Sequence, residues 1–309
     1  MPLTSFTNVF AGNPLNRASE RRGDGSWLAE KLADPASLAV AIWNGKPLLE
    51  RGKNGETQIS YIPTRMAEDL AKGFERLLFM GLWQDTAVFA VDLDQSADPT
   101  EGPLQGLGKF EDLRASALNL SVAEAGIAAT ARQMFEWRRR HKHCANCGEP
   151  SEARDGGWKR VCPSCRAEHF PRTDPVVIML AHNEGKCLLG RQAAWPKGMF
   201  SALAGFLEPG ESIEEACARE LHEEAGLKTA KVTYHSTQPW PYPSSLMIGL
   251  IAEVEDQDAT PDQTELSEVR WFTKAEARDL MAGKIEGVFA PGKMAIAHQL
   301  IKAWAESED

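Results

Sequence analysis

Short apolar runs alternate along the chain with amphipathic stretches, the pattern of strands interleaved with helices. Residues 38–50, LAVAIWNGKPLLE, and 86–94, TAVFAVDLD, have strand composition, and the second alternates so poorly that it reads as a central strand. Between them MAEDLAKGFERLLFMG, residues 66–81, suggests a helix, and residues 115–140 suggest another. Further on, residues 175–180 and 186–189 read as a strand pair around the turn His182-Asn183-Glu184-Gly185, and residues 246–254 and 269–273 as later strands. The spacing of Met294, Ala297, His298 and residues 300–304 predicts a terminal helix packed on a sheet. No repeat stands out. The polar segment 94–106 reads as a loop rather than a linker.

One predicted helix breaks the usual rule. In GFLEPGESIEEACARELHEEAGL, residues 205–227, Ile213, Ala216 and Cys217 mark the inward face. At about 100° per residue, Glu220 and Glu224 fall within roughly 20° of Ile213 on that face, with Glu223 beside them. Glu214, Glu215, Ala218, Arg219 and His222 point the other way. A merely solvated helix would turn its acids outward. Inward carboxylates repel one another and lose hydration, so they call for cations or hydrogen-bonded partners. Hard oxygen ligands favour Mg²⁺ or Mn²⁺. Ser212 is placed as N-cap with Glu215 as its reciprocal partner, Gly226 as the left-handed stop, and Gly205, Pro209 and Gly210 shape the preceding loop.

This segment resembles the complete Nudix box: Gly205, five residues, Glu211, seven residues, Arg219-Glu220-Leu221, one residue, Glu223-Glu224, one residue, Gly226-Leu227. The resemblance implies an α/β fold, an α/β/α sandwich with a mixed sheet, that hydrolyses a nucleoside diphosphate linked to another moiety. It makes Glu220, Glu223 and Glu224 the main metal ligands, Arg219 the residue that orients them by a salt bridge, and Glu211 an auxiliary acid.

A second motif is Cys144-x2-Cys147, fourteen residues, Cys162-x2-Cys165. Two such hairpins supply four thiolates to one tetrahedral Zn²⁺ and leave no open position, so the site reads as structural; two disulfides or four unrelated cysteines are the alternative. Cys187 and Cys217 read as core residues. The start of the chain lacks a long apolar stretch, so a reducing compartment is expected. With 309 residues and a formal charge of −10, the chain can bury more than one core. Nowhere do apolar residues run long enough to span a bilayer. Bulk acidity weighs against a dedicated nucleic-acid binder, yet Arg138, Arg139, Arg140, Lys142, Lys159, Arg160 and Arg166 gather around the cysteine hairpins. They read equally as a phosphate contact and as a solvated face. The expected domains are an N-terminal α+β domain (1–130), a zinc ribbon with its lead-in helix (131–172) and a Nudix domain (173–309).

Residues 235–247, HSTQPWPYPSSLM, alternate proline with aromatic or polar residues and should be extended and stiff. Alone they could be a connector or a proline-rich ligand. Together with the box and the ribbon, residues 237–245 resemble the Ser-Gln-Pro-Trp-Pro-Phe-Pro-x-Ser signature of the NADH pyrophosphatase subfamily, with Thr237 for Ser and Tyr242 for Phe. Asn13-Pro14-Leu15-Asn16-Arg17 is similar to that subfamily's early Asn-Pro-Leu-Asp-Arg. The resemblance implies that Glu265, ahead of Glu268, approaches the catalytic Mg²⁺ or Mn²⁺ from outside the box. It implies that Phe170 and Phe206 hold a base, and that Gln238, Trp240 and the backbone at Ala297 meet the nucleotide. The implied reaction hydrolyses the pyrophosphate of NAD(H) to NMN(H) and AMP by attack of water, with the general base left open. An NAD cap on RNA presents the same bond. ADP-ribose or a dinucleoside polyphosphate is the alternative substrate, and a non-catalytic zinc-ribbon nucleic-acid-binding protein is the alternative from another class. The resemblance also implies a homodimer, with Phe170 lying where the neighbouring subunit could contribute to a pocket, and a cytoplasmic enzyme is expected.

Overall fold

The computed structural model describes residues 8–71, 73–93 and 96–308, so residues 1–7 of the chain's start and residues 94–95 of the expected loop lie outside the described residues. Two compact units result: one runs to Thr173 and includes Trp240–Ser244, the other comprises Asp174–Pro239 and Ser245–Asp309.

The first unit begins with α1 (Gly25–Ala33), β1 (Leu38–Trp43), β2 (Lys46–Arg51), β3 (Thr57–Ile59), β4 (Tyr61–Pro63) and α2 (Thr64–Ala71). It continues through β5 (Leu77–Trp83), β6 (Thr86–Leu93), β7 (Lys109–Phe110), α3 (Leu113–Ser116) and α4 (Val122–Arg140). Its sheet runs β3-β2-β1-β6-β5, so β6 is interior as its composition indicates. β1 and β6 are parallel, and β1 and β2 form a hairpin through Asn44 and Gly45, both at positive φ, as a two-residue turn requires. Residues 98–106 are a loop anchored by fully buried Leu104.

Two helix expectations are corrected here. The helix expected over 66–81 stops at Ala71, Gly73 takes φ 138°, and residues 77–83 form β5. LLFMG is a continuous apolar run whose side chains are buried on both faces, and in such a run period alone does not separate strand from helix. The helix expected over 115–140 is broken at Leu120 and Ser121. Ser121 is extended and accepts the Glu124 N–H, starting α4 afresh at Val122.

The ribbon follows as β8 (Glu152–Arg154), β9 (Lys159–Val161) and β10 (Glu168–His169), ordered β10-β9-β8. Its two knuckles repeat one another. Gly148 N–H donates to Cys144 O and Arg166 N–H to Cys162 O, and both donors sit at positive φ.

The second unit contains β11 (Asp174–Asn183), β12 (Lys186–Arg191), β13 (Leu203–Phe206), α5 (Ile213–Ala225), β14 (Thr229–Trp240), β15 (Ser245–Val254), β16 (Glu268–Thr273), α6 (Lys274–Met281) and α7 (Ile296–Glu306). Its sheet runs β14-β15-β11-β12-β16, with β13 on β11 and a parallel β11–β15 pair. The two-residue period of β11 serves two cores. Val177, Met179 and Ala181 pack with Ala216, Cys217 and Leu221 of α5, while Ile178 and Leu180 pack with α6 and α7 through Leu280, Leu300 and Ile301. The result is an α/β/α sandwich on a mixed sheet. Cys187 and Cys217 are core residues on opposite faces, and burial pushes both thiols up to about 12. The segment expected to be extended is so only to Trp240; residues 241–244 turn back into β15.

Ser212 accepts the Glu215 N–H while Glu215 receives the Ser212 N–H, closing the expected capping box, and Gly226 ends α5 at φ 72°. Ser212→Ala should cost about 1 kcal/mol of stability. Urea unfolding checks this, and an unchanged midpoint would discount the cap.

Candidate active site

α5 carries its acids where the period places them. Glu220 is 9% exposed and Glu224 4%, whereas Glu223 is open to solvent. Room for Glu220 comes from β13, because a Cβ at Gly205 would lie 1.8 Å from its carboxyl carbon. Arg219 does not point away as its helical angle suggests: its long side chain folds back across the cluster. Nε donates to Glu211 Oε1 at 2.6 Å and Nη2 to Glu211 Oε2 at 3.0 Å. Nη1 reaches Glu220 Oε1 and Glu223 Oε2, each at 2.9 Å, and Nη2 also reaches the Phe206 carbonyl at 2.9 Å. One guanidinium thus joins the loop, the end of β13 and one turn of α5.

The acids are driven apart electrostatically. Arg219, with the Glu208 N–H, holds Glu211 down at about 2. Desolvation raises Glu220 and pushes Glu224 from the ordinary 4.5 up to about 8, with Glu220, Glu265, Asp262 and Glu223 adding repulsion. Buried Glu224 Oε2 has no hydrogen-bond partner. Arg219 takes Glu220 and Glu223, while Glu224 is buried outside its reach.

Glu265 is exposed and enters from the loop before β16. Asp262 organises that loop and was not singled out from the sequence. Its carboxylate accepts the N–H groups of Glu265 at 2.9 Å and Leu266 at 2.8 Å, and its own N–H donates to Glu224 O. The Asp-x-x-Glu spacing was the available signal.

The expected nucleotide contacts are distributed. Phe206 ends β13 and is 60% exposed, and Phe170, just after β10 in the first unit, is 63% exposed, so neither ring is core. Gln238 is fully buried, and both ends of its amide meet the chain leading into α7. Nε2 donates to Met294 O at 2.8 Å and Oε1 accepts the Ile296 N–H at 2.9 Å. Ala297 lies in the first turn of α7 and packs in the core. Trp240 packs edge-on against Phe10 and Tyr242, with the Arg114 guanidinium 5.5 Å from its ring.

In the ribbon, the sulfurs of Cys144, Cys147, Cys162 and Cys165 all lie within 4.8 Å of one another, with Cys144–Cys165 and Cys147–Cys162 at 3.5 Å. Disulfides need about 2.0 Å. Four thiolates at about 2.3 Å from one zinc ion sit about 3.8 Å apart, which these spacings approach. The Asn146 N–H and His169 Nε2, 3.4 and 3.3 Å from Cys144 Sγ, supply the outer hydrogen bonds such sites use.

Residues 171–291 match the NUDIX domain, residues 36–137 the NADH pyrophosphatase-like rudimentary NUDIX domain, and residues 139–170 the NADH pyrophosphatase zinc ribbon domain. The NAD-capped RNA hydrolase NUDT12 of Macaca fascicularis is 37% identical over 96% of this chain and 73% of that protein. The NAD-capped RNA hydrolase of Schizosaccharomyces pombe is 32% identical over 98% and 94% of the two chains. The chain belongs to the Nudix hydrolase family. A third relative of this Nudix hydrolase, the human NAD(P)H pyrophosphatase NUDT13, mitochondrial, is 37% identical over 73% of this chain and 70% of that one.

The donor set of this Nudix hydrolase suits a hard divalent cation. It is all carboxylate oxygen, with one buried oxygen left without a partner. Glu220, Glu223, Glu224 and Glu265 are the residues that could hold it.

A pH test follows from Glu224. Between about 4.5 and 8 the folded state binds this proton and the unfolded state does not, so stability falls as pH rises. Without added divalent cation, unfolding free energy should drop by a few kcal/mol across that window, at about 1.4 kcal/mol per pH unit. Glu224→Gln should flatten the slope. A wild-type stability that rises over the window would contradict the burial of this acid.

Proposed function

We propose that this Nudix hydrolase cleaves the central pyrophosphate of NAD(H) to NMN(H) and AMP, and the same linkage in an NAD cap at the 5′ end of RNA. The observation that carries this reading is the agreement between an intact, Arg219-braced Nudix box and relatives named for NAD pyrophosphate hydrolysis and NAD-cap removal, one of them matched over 94% of its length.

In this reading Glu220, Glu223, Glu224 and Glu265 hold Mg²⁺ or Mn²⁺, and Cys144, Cys147, Cys162 and Cys165 hold a structural Zn²⁺. The catalytic cations, when bound, polarise the phosphoryl oxygens and acidify the attacking water. Arg219 keeps Glu220 and Glu223 oriented before substrate arrives, so less ordering is left for the transition state. Glu211 keeps Arg219 in place. Phe170 and Phe206 stack the base, and their exposure supports that role. Gln238 acts through α7, fixing the backbone around Ala297. Trp240 orders the turn beside it. A homodimer in the cytoplasm completes the proposal; six unpaired cysteines fit a reducing compartment, and among the described residues no helix is long and apolar enough to cross a membrane.

Chromatography of digests with NADH, NAD⁺, ADP-ribose, diadenosine polyphosphates and NAD-capped RNA tests the substrate. NMN(H) and AMP should form fastest from the dinucleotide, and 5′-monophosphate RNA from the capped RNA. Faster cleavage of ADP-ribose or a dinucleoside polyphosphate would replace this reading. Glu223→Gln should lower turnover by roughly 100-fold or more with the fold intact, as loss of a charge-stabilising group does; unchanged turnover would remove Glu223 from the centre.

A further inference from the structure

The early motif Asn13-Pro14-Leu15-Asn16-Arg17 has no place in the chemistry above, and its hydrogen bonds show what it anchors. Asn13 Oδ1 accepts the Leu15 N–H at 3.0 Å, while Nδ2 donates to Gly126 O at 3.3 Å and Thr130 Oγ1 at 3.0 Å in α4. Asn16 exchanges backbone hydrogen bonds with Leu82 of β5, at 2.9 and 2.8 Å. A Cβ on Gly126 would lie 2.7 Å from Asn13 N and 3.0 Å from Ala11 O, so residues 11–13 rest directly on the α4 backbone.

The residue just before this anchor is strained. Phe10 takes φ 73°, a left-handed conformation unfavourable for a bulky side chain, and is only 2% exposed. Such a residue persists where its surroundings over-determine it, and these cluster at functional sites. Its ring meets Trp240 and Tyr242 edge-on, at 6.0 and 6.2 Å between centroids, and those two rings meet each other at 5.4 Å. From α4, Arg132 Nη1 donates to the Pro241 carbonyl at 2.7 Å, and its guanidinium lies 4.4 Å from the Tyr242 ring. All of these groups belong to the first unit. Trp240 is joined through Pro239 to Gln238, whose buried amide holds the chain at Met294 and Ile296 where α7 begins.

We propose that Asn13 and Phe10 are positioning residues for nucleotide binding, and that the early motif serves the proline-aromatic segment more than 220 residues later. Asn13 fixes residues 11–13 on α4, and Phe10 completes an aromatic trio on the Trp240–Ser244 turn. That turn sets where β14 ends, and with it Gln238 and the start of α7. The proposal rests on the function read above, in which Gln238 and the backbone around Ala297 serve the nucleotide. The acids of α5 and Arg219 take no part in this series of contacts, so substrate affinity and not the chemical step responds to it.

The test uses the full chain with Phe10→Leu, Asn13→Ala, Trp240→Leu, and Phe10→Leu combined with Trp240→Leu, with urea unfolding showing that each is folded under assay conditions. kcat and KM are measured on whichever of NADH, NAD⁺, ADP-ribose and diadenosine polyphosphate the wild type cleaves fastest. Phe10→Leu and Asn13→Ala should each raise KM about five-fold, the scale of one edge-to-face pair or one hydrogen bond, with kcat within about two-fold of wild type. The combined variant should have a KM within about two-fold of that of Trp240→Leu alone, because both changes break the same contact. Unchanged KM in folded variants, a loss confined to kcat, or effects that multiply in the combined variant would overturn the proposal. A wild type that prefers a substrate other than NADH or NAD⁺ counts against the substrate reading above alone, and the variants are then judged on that substrate.

Discussion

Three carboxylates and one guanidinium set the terms for the second unit. Glu211, Glu220 and Glu223 come from a loop and two positions of α5, and without Arg219 among them they would repel across a site that already desolvates Glu220. The bidentate grip on Glu211 fixes the loop, and the bond to the Phe206 carbonyl fixes β13 to the helix. Lysine could not replace this arrangement, because a point charge lacks the planar fork that meets several acceptors at once. Glu224 is outside that grip. Burial pushes it up to about 8 with no guanidinium to offset the cost, whereas Glu220 is desolvated but held by Arg219.

Much of this was legible in the chain. The capping box, the left-handed stop at Gly226 and the inward set of Glu220 and Glu224 follow from spacing because they are local. The direction of Arg219 does not follow from its helical angle, which describes Cα–Cβ while a long side chain can turn back over its own helix; the family resemblance alone pointed to its salt bridge. LLFMG was misread for a related reason: burial on both faces erases the period that separates strand from helix. Asp262 escaped notice because its work is done through backbone N–H groups, which leave little trace in composition.

The two sheets share a plan that no sequence repeat announces. β1 and β11 each enter a hairpin through two residues at positive φ, Asn44-Gly45 and Glu184-Gly185, and each pairs in parallel with a later strand. This accords with the match of residues 36–137 to a rudimentary NUDIX domain. Only the second copy has the acid-bearing helix. The first has α2 and α4, and the acids of the box are absent from both.

The turn at 241–244 has a consequence for modularity. Strand β14 belongs to the catalytic sheet, yet Trp240 and Tyr242 are enclosed by Phe10, Arg114 and Arg132, and the Pro241 carbonyl accepts from Arg132 at 2.7 Å. A fragment beginning at Asp174 would retain every residue of the Nudix box and still expose two aromatic rings with their partners gone. Trp240–Ser244 belongs to the first unit yet lies in the chain between Pro239 and Ser245 of the second, so no single cut in the sequence separates the two units.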